Sequence, residues 1–389
     1  MNTDSAHETA HALDRRSFLR SITGSTALAA AAGGVGSTPS AAAAEIGPVN
    51  AQQRRNTAFN VRHRAAVAQK SMTLPPHPTS ADDNIYPNFI GSFTKTLPHN
   101  TLGEVVPSAY HALRQALASG QQAALNAVPL GGVTKLTNPQ AAYAYQLEGA
   151  DSHHLGMPAA PALSSAWCAA EMTEVYWRAW TRDIAFIDYD THPHIAAAAA
   201  DLNALSDYRG PRTASGVTAG TIFRGVTPGD LTGPFISQFL YLDIPFGGTP
   251  MPQRYRTIMA GDNHMTSYSD WLAVQNGAAP PRAALFDPTH RYISTGRDLA
   301  EFVHNDFSFQ AYQSAALILL GFGAAAIDDN NPYKHYANQN SFVTFGGPMV
   351  LDLVARAAMS AFKAAWYQKW LVHRRLRPEA YGGLVHHKI

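Results

Sequence analysis

A mainly α-helical fold is predicted by three observations: apolar residues recur at helical spacing, strand-like alternation is scarce, and long Gly- and Pro-rich connections separate the periodic stretches. The periodicity is clearest over 163–187. There Cys168, Met172, Val175 and Ala179 fall at i, i+4, i+7 and i+11, with Glu171, Glu174, Arg178 and Arg182 along another stripe. Further helices are predicted at about 106–119, 193–205, 297–327 and 348–375. Residues 208–292 read as long connections, of the kind that carry function or contacts between subunits.

Composition narrows the function classes. With 389 residues and 46% hydrophobic content the chain can bury a substantial core. Lys+Arg 29 against Asp+Glu 28 leaves a formal net charge of +1, so bulk electrostatics imply neither a nucleic-acid nor an acidic membrane partner, and any anion site must be local. The single cysteine, Cys168, excludes an intramolecular disulfide framework and a thiolate metal cluster, and its apolar helical setting reads as a packed thiol.

The amino-terminal stretch is read as an address. "DRRSFLR" (14–20), a short, weakly apolar segment and "STPSAAAAE" read as a twin-arginine export signal over 1–44, with cleavage near Ala43 or Ala44. A periplasmic or extracellular protein is expected, and no later run of about 18 apolar residues suggests a membrane span. His7-Glu8-Thr9-Ala10-His11 matches the zinc-protease pattern H-E-x-x-H, but it lies inside this leader. Residues 45–84, polar and Pro-containing, are expected to form an extended arm, followed by a helical domain over 85–389.

Four Lys/Arg and a His crowd into 369–377, within K-W-L-V-H-R-R-L-R. On a helical wheel Asp352, Arg356, Lys363 and Arg374 form a solvated stripe, whereas Lys369 falls in line with Leu351, Ala358, Phe362 and Ala365. A lysine on the core face must snorkel, lose its proton or meet an anion. His373 and Arg377 follow at i+4 and i+8, and Pro378 sets Arg377 at the helix end. The three make a candidate clamp for a tetrahedral anion. The plainer alternative is a set of cations complementing a helix C-terminus.

Lys369, seven intervening residues and Arg377-Pro378 resemble the first oxyanion motif of vanadium-dependent haloperoxidases, in the spacing of the algal bromoperoxidase branch and its bacterial relatives. "LPHNTLGEV", "PALSSAWCAAEMTEVYWRAWTRDIAF", "FRGVTPGDLTGPFISQFL", "HRYISTGRDLAEFVHND" and "FVTFGGP" are similar to the same family, so the resemblance covers about 60–389. It implies the helical-bundle architecture shared with the acid phosphatases, a vanadate cofactor, and peroxide-dependent oxidation of a halide, bromide being expected, to hypohalous acid. Lys369 and Arg377 would donate to vanadate oxygens, with His373 a less defined third member. The family continues with a Pro-Ser-Gly-His segment, a further Arg and a vanadate-ligating His. None of these can be placed in the 389 residues, so an amino-terminal portion of the family's length, inactive alone, is expected.

The resemblance also implies a homo-oligomer, as does the apolar surface such a portion would expose. An acid phosphatase of the same superfamily and a non-catalytic anion-binding remnant are the alternatives. Elsewhere, "DYDTHPHI" (188–195) reads as a capped helix start with Thr191 or His192 near the cap, and "DSHHLGMP" as a loop of local hydrogen bonds. The Asp328–Asn331 run is oxygen-rich enough for a structural Ca²⁺, but its spacing is not that of an EF-hand and a solvated loop is the favoured reading.

Overall fold

The computed structural model describes residues 50–388, with side chains through 387. The export-signal and H-E-x-x-H readings lie outside the described residues. The chain divides into two compact units, Met1–Thr73 and Leu74–Ile389.

In the first unit, Ala51–Lys70 (α1) is helical where an extended arm was expected. The run contains no Gly or Pro and is rich in Ala, Gln and Arg. Asn50 starts it, its side-chain oxygen accepting from Gln52 N and Gln53 N at 3.1 Å each. None of its residues is buried.

The second unit is mainly helical: α2 (Pro107–Ser119), α3 (Ala166–Thr181), α4 (Pro193–Ala204), α5 (Tyr268–Gln275), α6 (Gly296–Asn305), α7 (Gln310–Gly321), α8 (Gly347–Tyr367) and α9 (Pro378–Lys388), with short turns between them. Among the described residues, the strands are the antiparallel pair β1 (Ile244–Phe246) and β2 (Thr249–Met251). The single helix predicted over 297–327 is two, because Asp306 adopts an extended conformation beyond α6. Short polar side chains there compete with helical backbone bonding.

Helix starts follow the sequence. Ser165 accepts from Cys168 N at 3.0 Å to begin α3, and Thr295 with Asp298 forms a capping box on α6. His192 is the N-cap of α4, its Nδ1 accepting from His194 N at 3.2 Å, and Pro193 follows at the first position. The "DSHHLGMP" loop does make local bonds: His153 pairs with Asp151 at 2.6 Å.

One core cluster surrounds α2, where Tyr110, Leu113 and Leu117 pack with Phe89, Leu97 and Val105, and Leu371 closes against them. A second joins α3 and α4 through Ala170, Ile195, Ala198 and Leu202. Each fully buried Leu or Ile in these clusters contributes about 1.5–3 kcal/mol. The α3 stripe divides. Cys168 and Met172 are buried, whereas Val175 and Ala179 are exposed and line an open groove with Tyr268, Trp271 and α9.

Candidate anion-binding site

The cationic segment is not the continuous α-helix the wheel assumed. After Tyr367 the chain takes a π turn over Gln368–His373, closed by Arg374 N donating to Lys369 O at 3.1 Å. Arg374 then adopts a left-handed conformation at φ 41 and ψ 37. Its carbonyl accepts from Phe93 N at 2.6 Å, Ser92 bridges to Arg375, and Leu376 N donates to Gly91 O at 3.2 Å. Residues 374–376 are thus held edge to edge against 91–93 before Pro378 opens α9.

Arg374 is consequently not on the solvated stripe. Its guanidinium donates to Asp83 Oδ2 through Nη2 at 2.6 Å and Nε at 3.1 Å, and to Leu371 O through Nη1 at 2.7 Å. Asp83 also accepts from Tyr110 OH at 2.7 Å and from the Ser92 hydroxyl. Burial pushes the Asp83 carboxyl up, but the bonds from Ser92, Tyr110 and Arg374 outweigh it and hold the group below its ordinary value. Burial, then the neighbouring Asp83 charge, push the Tyr110 hydroxyl well up. The other members of the expected stripe do sit at the surface: Arg356 pairs with Asp352 at 2.8 Å, and Lys363 donates to Tyr145 O at 3.0 Å.

Lys369, His373 and Arg377 come together as walls of one cleft of about 500 Å³, shared with Phe93, Trp167 and Glu171. Lys369 does not enter the core; the residue is exposed at the cleft, which Ala365, one turn before it on the predicted line, also lines. Its Nζ lies 5.0 Å from the Trp370 ring centre and 5.8 Å from that of Phe93. No carboxylate pairs with it among the described residues. Partial burial and the Arg377 guanidinium lower its pKa, with Glu379 opposing.

Arg377, past the end of the turn, uses Nε to donate to Glu379 Oε1 at 2.5 Å. Lys95 Nζ reaches the same oxygen at 3.3 Å. Burial raises the Glu379 carboxyl, but a bond from its own backbone N–H and the two cations bring it below the ordinary range. Both ring nitrogens of His373 are buried and lack a hydrogen-bond partner. Burial, His77 and Arg375 lower the pKa of this imidazole. Arg375, on the same wall, is paired with Glu171. The cleft therefore offers an ammonium without an acid partner, a guanidinium whose Nη edge is not taken by a carboxylate, and an imidazole with two unused nitrogens. Those are donors for a compact oxyanion.

Sequence reasoning found Lys369, His373 and Arg377 but missed Asp83, Phe93, Lys95 and Glu379. Glu379, two residues after the arginine, was within reach of local inspection. The others approach from nearly 300 residues away, and no spacing rule signals them.

A stability prediction follows from these carboxylates. Asp83, Glu379 and Asp183, the last bonded to Arg297, all titrate below their ordinary values in the folded chain. Groups with depressed folded pKa stabilise the fold above the unfolded value and lose that contribution as pH falls through the folded one. The thermal midpoint should hold down to about pH 4 and fall below it, as calorimetric scans across pH would record.

No family model matches the chain. A vanadium-dependent bromoperoxidase of Corallina pilulifera is 32% identical, the match covering 86% of this chain and 69% of that protein. One of Ascophyllum nodosum is 35% identical over 76% of this chain and 55% of its own length. Among solved structures, a homohexameric vanadate-dependent bromoperoxidase from Ascophyllum nodosum superposes with a TM-score of 0.82 at 31% identity, covering 92% of this chain and 62% of that one.

Proposed function

The chain belongs to the vanadium-dependent bromoperoxidase family, and on that premise we propose that the Lys369–Arg377 cleft is the cationic half of a vanadate site serving peroxide-dependent oxidation of bromide. The observation that carries this reading is the unpaired Lys369 ammonium facing the same cleft as Arg377. The residues present fit the group: two permanent or near-permanent cations, plus a His373 whose buried nitrogens have no protein partner. Lys369 and Arg377 would hold the oxyanion through charge-assisted hydrogen bonds and draw electron density from its oxygens. His373, kept neutral by its surroundings, can donate from one nitrogen and accept at the other. Vanadate, when bound, would supply the Lewis acidity for peroxide chemistry. Met157, Pro158 and Trp167 line the same cleft and give it an apolar side.

The 389 residues contain no Pro-Ser-Gly-His segment, so this span taken alone is expected to bind oxyanions weakly and reversibly, with little bromide oxidation. Assembly with identical copies is proposed by analogy with the homohexameric neighbour, and export through the twin-arginine route from Arg15 and Arg16. No described helix is long and apolar enough to cross a membrane.

The test is direct titration with vanadate and phosphate by calorimetry, alongside a bromination assay with peroxide and bromide. Lys369→Gln and Arg377→Gln should each weaken oxyanion binding about tenfold or more, each removing one charge-assisted contact, without changing the far-ultraviolet circular dichroism. Unchanged affinity in both variants would falsify the assignment. Hydrolysis of phosphate esters without bromide oxidation would point to the phosphatase alternative.

A further inference from the structure

Glu379 is an acid inside a site built to attract anions. Its Oε1 accepts both Arg377 Nε at 2.5 Å and Lys95 Nζ at 3.3 Å, so one carboxylate oxygen ties a cleft cation to a lysine from the far amino-terminal side of the second unit. Lys95 and Glu379 line the wider neighbouring groove of about 970 Å³, whereas Arg377 and Lys369 line the anion cleft. The Arg377–Glu379–Lys95 chain is therefore the partition between the two spaces. Arg377 is engaged through Nε, which leaves its Nη edge for a ligand on the cleft side.

Resting on the oxyanion reading above, we propose that Glu379 is a specificity-determining residue that lowers the net positive charge of the cleft and thereby narrows its preference for doubly charged over singly charged tetrahedral oxyanions. With Glu379 ionised, Lys95, Lys369 and Arg377 are offset by one negative charge, while Arg375 is already matched by Glu171. A bond from its own backbone N–H and its two cationic partners favour the ionised carboxylate. An anion on the Nη edge of Arg377 sits beside this fixed negative charge, and the repulsion grows with the charge the anion brings. The orientation of Arg377 needs only an acceptor at Nε, not a charge. The charge of Glu379 and its hydrogen bond can therefore be separated by Glu379→Gln, whose amide oxygen can still accept from Nε.

The experiment uses tungstate and perrhenate, tetrahedral oxometalates of similar size carrying two and one negative charges. Each is titrated calorimetrically at low ionic strength and mildly alkaline pH into the wild-type chain, Glu379→Gln, Lys95→Gln and Arg377→Gln. Because the carboxylate is about one-third exposed, screening moderates the effect. Glu379→Gln is expected to tighten tungstate by about tenfold and perrhenate by only about threefold, since the interaction scales with the anion's charge. Lys95→Gln should weaken tungstate more than perrhenate. A gain of affinity cannot come from a misfolded variant. Equal gains for both anions, or no change, overturn the charge-selection role; a loss for both overturns it in favour of a purely orienting one. If the wild-type chain binds neither anion, or Arg377→Gln changes nothing, the oxyanion reading itself has failed, and the inference falls with it.

Discussion

Replacing Asp83 with alanine is expected to destabilise the second unit by about 3 kcal/mol and to loosen the anion cleft. The Asp83 and Arg374 side chains are 13% and 22% exposed, so the pair is largely withdrawn from water. Removing one member of such a pair leaves the other as an uncompensated charge, an effect of about 3–5 kcal/mol when burial is complete. The lower end applies here because Arg374 keeps some solvent contact and its bond to Leu371 O. Tyr110, with no exposed surface, also loses its acceptor. The consequence reaches the site because Arg374 sits in a left-handed conformation between Lys369 and Arg377, a geometry that a non-glycine residue holds only when its surroundings fix it. Urea denaturation should show a lower midpoint with an unchanged slope, and oxyanion affinity should fall with it. Asp83→Glu should restore part of both; a variant as stable as the wild type would show that the pair does not anchor the turn.

The second large effect is expected at Gly383. A methyl group at its α-carbon would come within 2.0–2.4 Å of the Trp271 indole ring. The ring cannot retreat freely, since its Nε1–H donates to Glu379 O at 2.7 Å. Gly383→Ala gains roughly 1 kcal/mol of helix propensity in α9. Overpacking costs roughly 1–3 kcal/mol, occasionally more, and an overlap this deep against a tethered aromatic ring belongs at or beyond the upper end. We expect a net loss of about 2 kcal/mol, with a red-shifted tryptophan emission as the indole is displaced toward solvent. In a Trp271→Ala background the same substitution should cost nothing or stabilise. Equal losses in both backgrounds would locate the strain elsewhere.

The sequence made the helices legible wherever apolar periodicity was backed by a start signal, as at Ser165, His192-Pro193 and Thr295. It also led to the three cleft residues, though by a geometry that proved wrong. A wheel at constant pitch placed Lys369 on the core face and Arg374 in water; the structure turns Lys369 into the cleft and buries Arg374 against Asp83. The π turn defeats the wheel because it depends on what 91–93 and Asp83 offer to 374–376, partners from the opposite end of the second unit. The α3 stripe misled for a related reason. Amphipathic spacing shows which residues seek cover, and for Val175 and Ala179 the cover is an open groove wall.

Six residues, Gln368–His373, carry one more unit of contour than an α-helix would use to turn the same corner. That slack lets the two cleft cations, eight positions apart, line one cleft from different directions, a lysine from within the turn and an arginine from beyond its end. A shortening by a single residue here would spare the cleft's charged groups yet swing everything downstream by roughly 100°, so the length of this stretch shapes the cleft as much as its charges do.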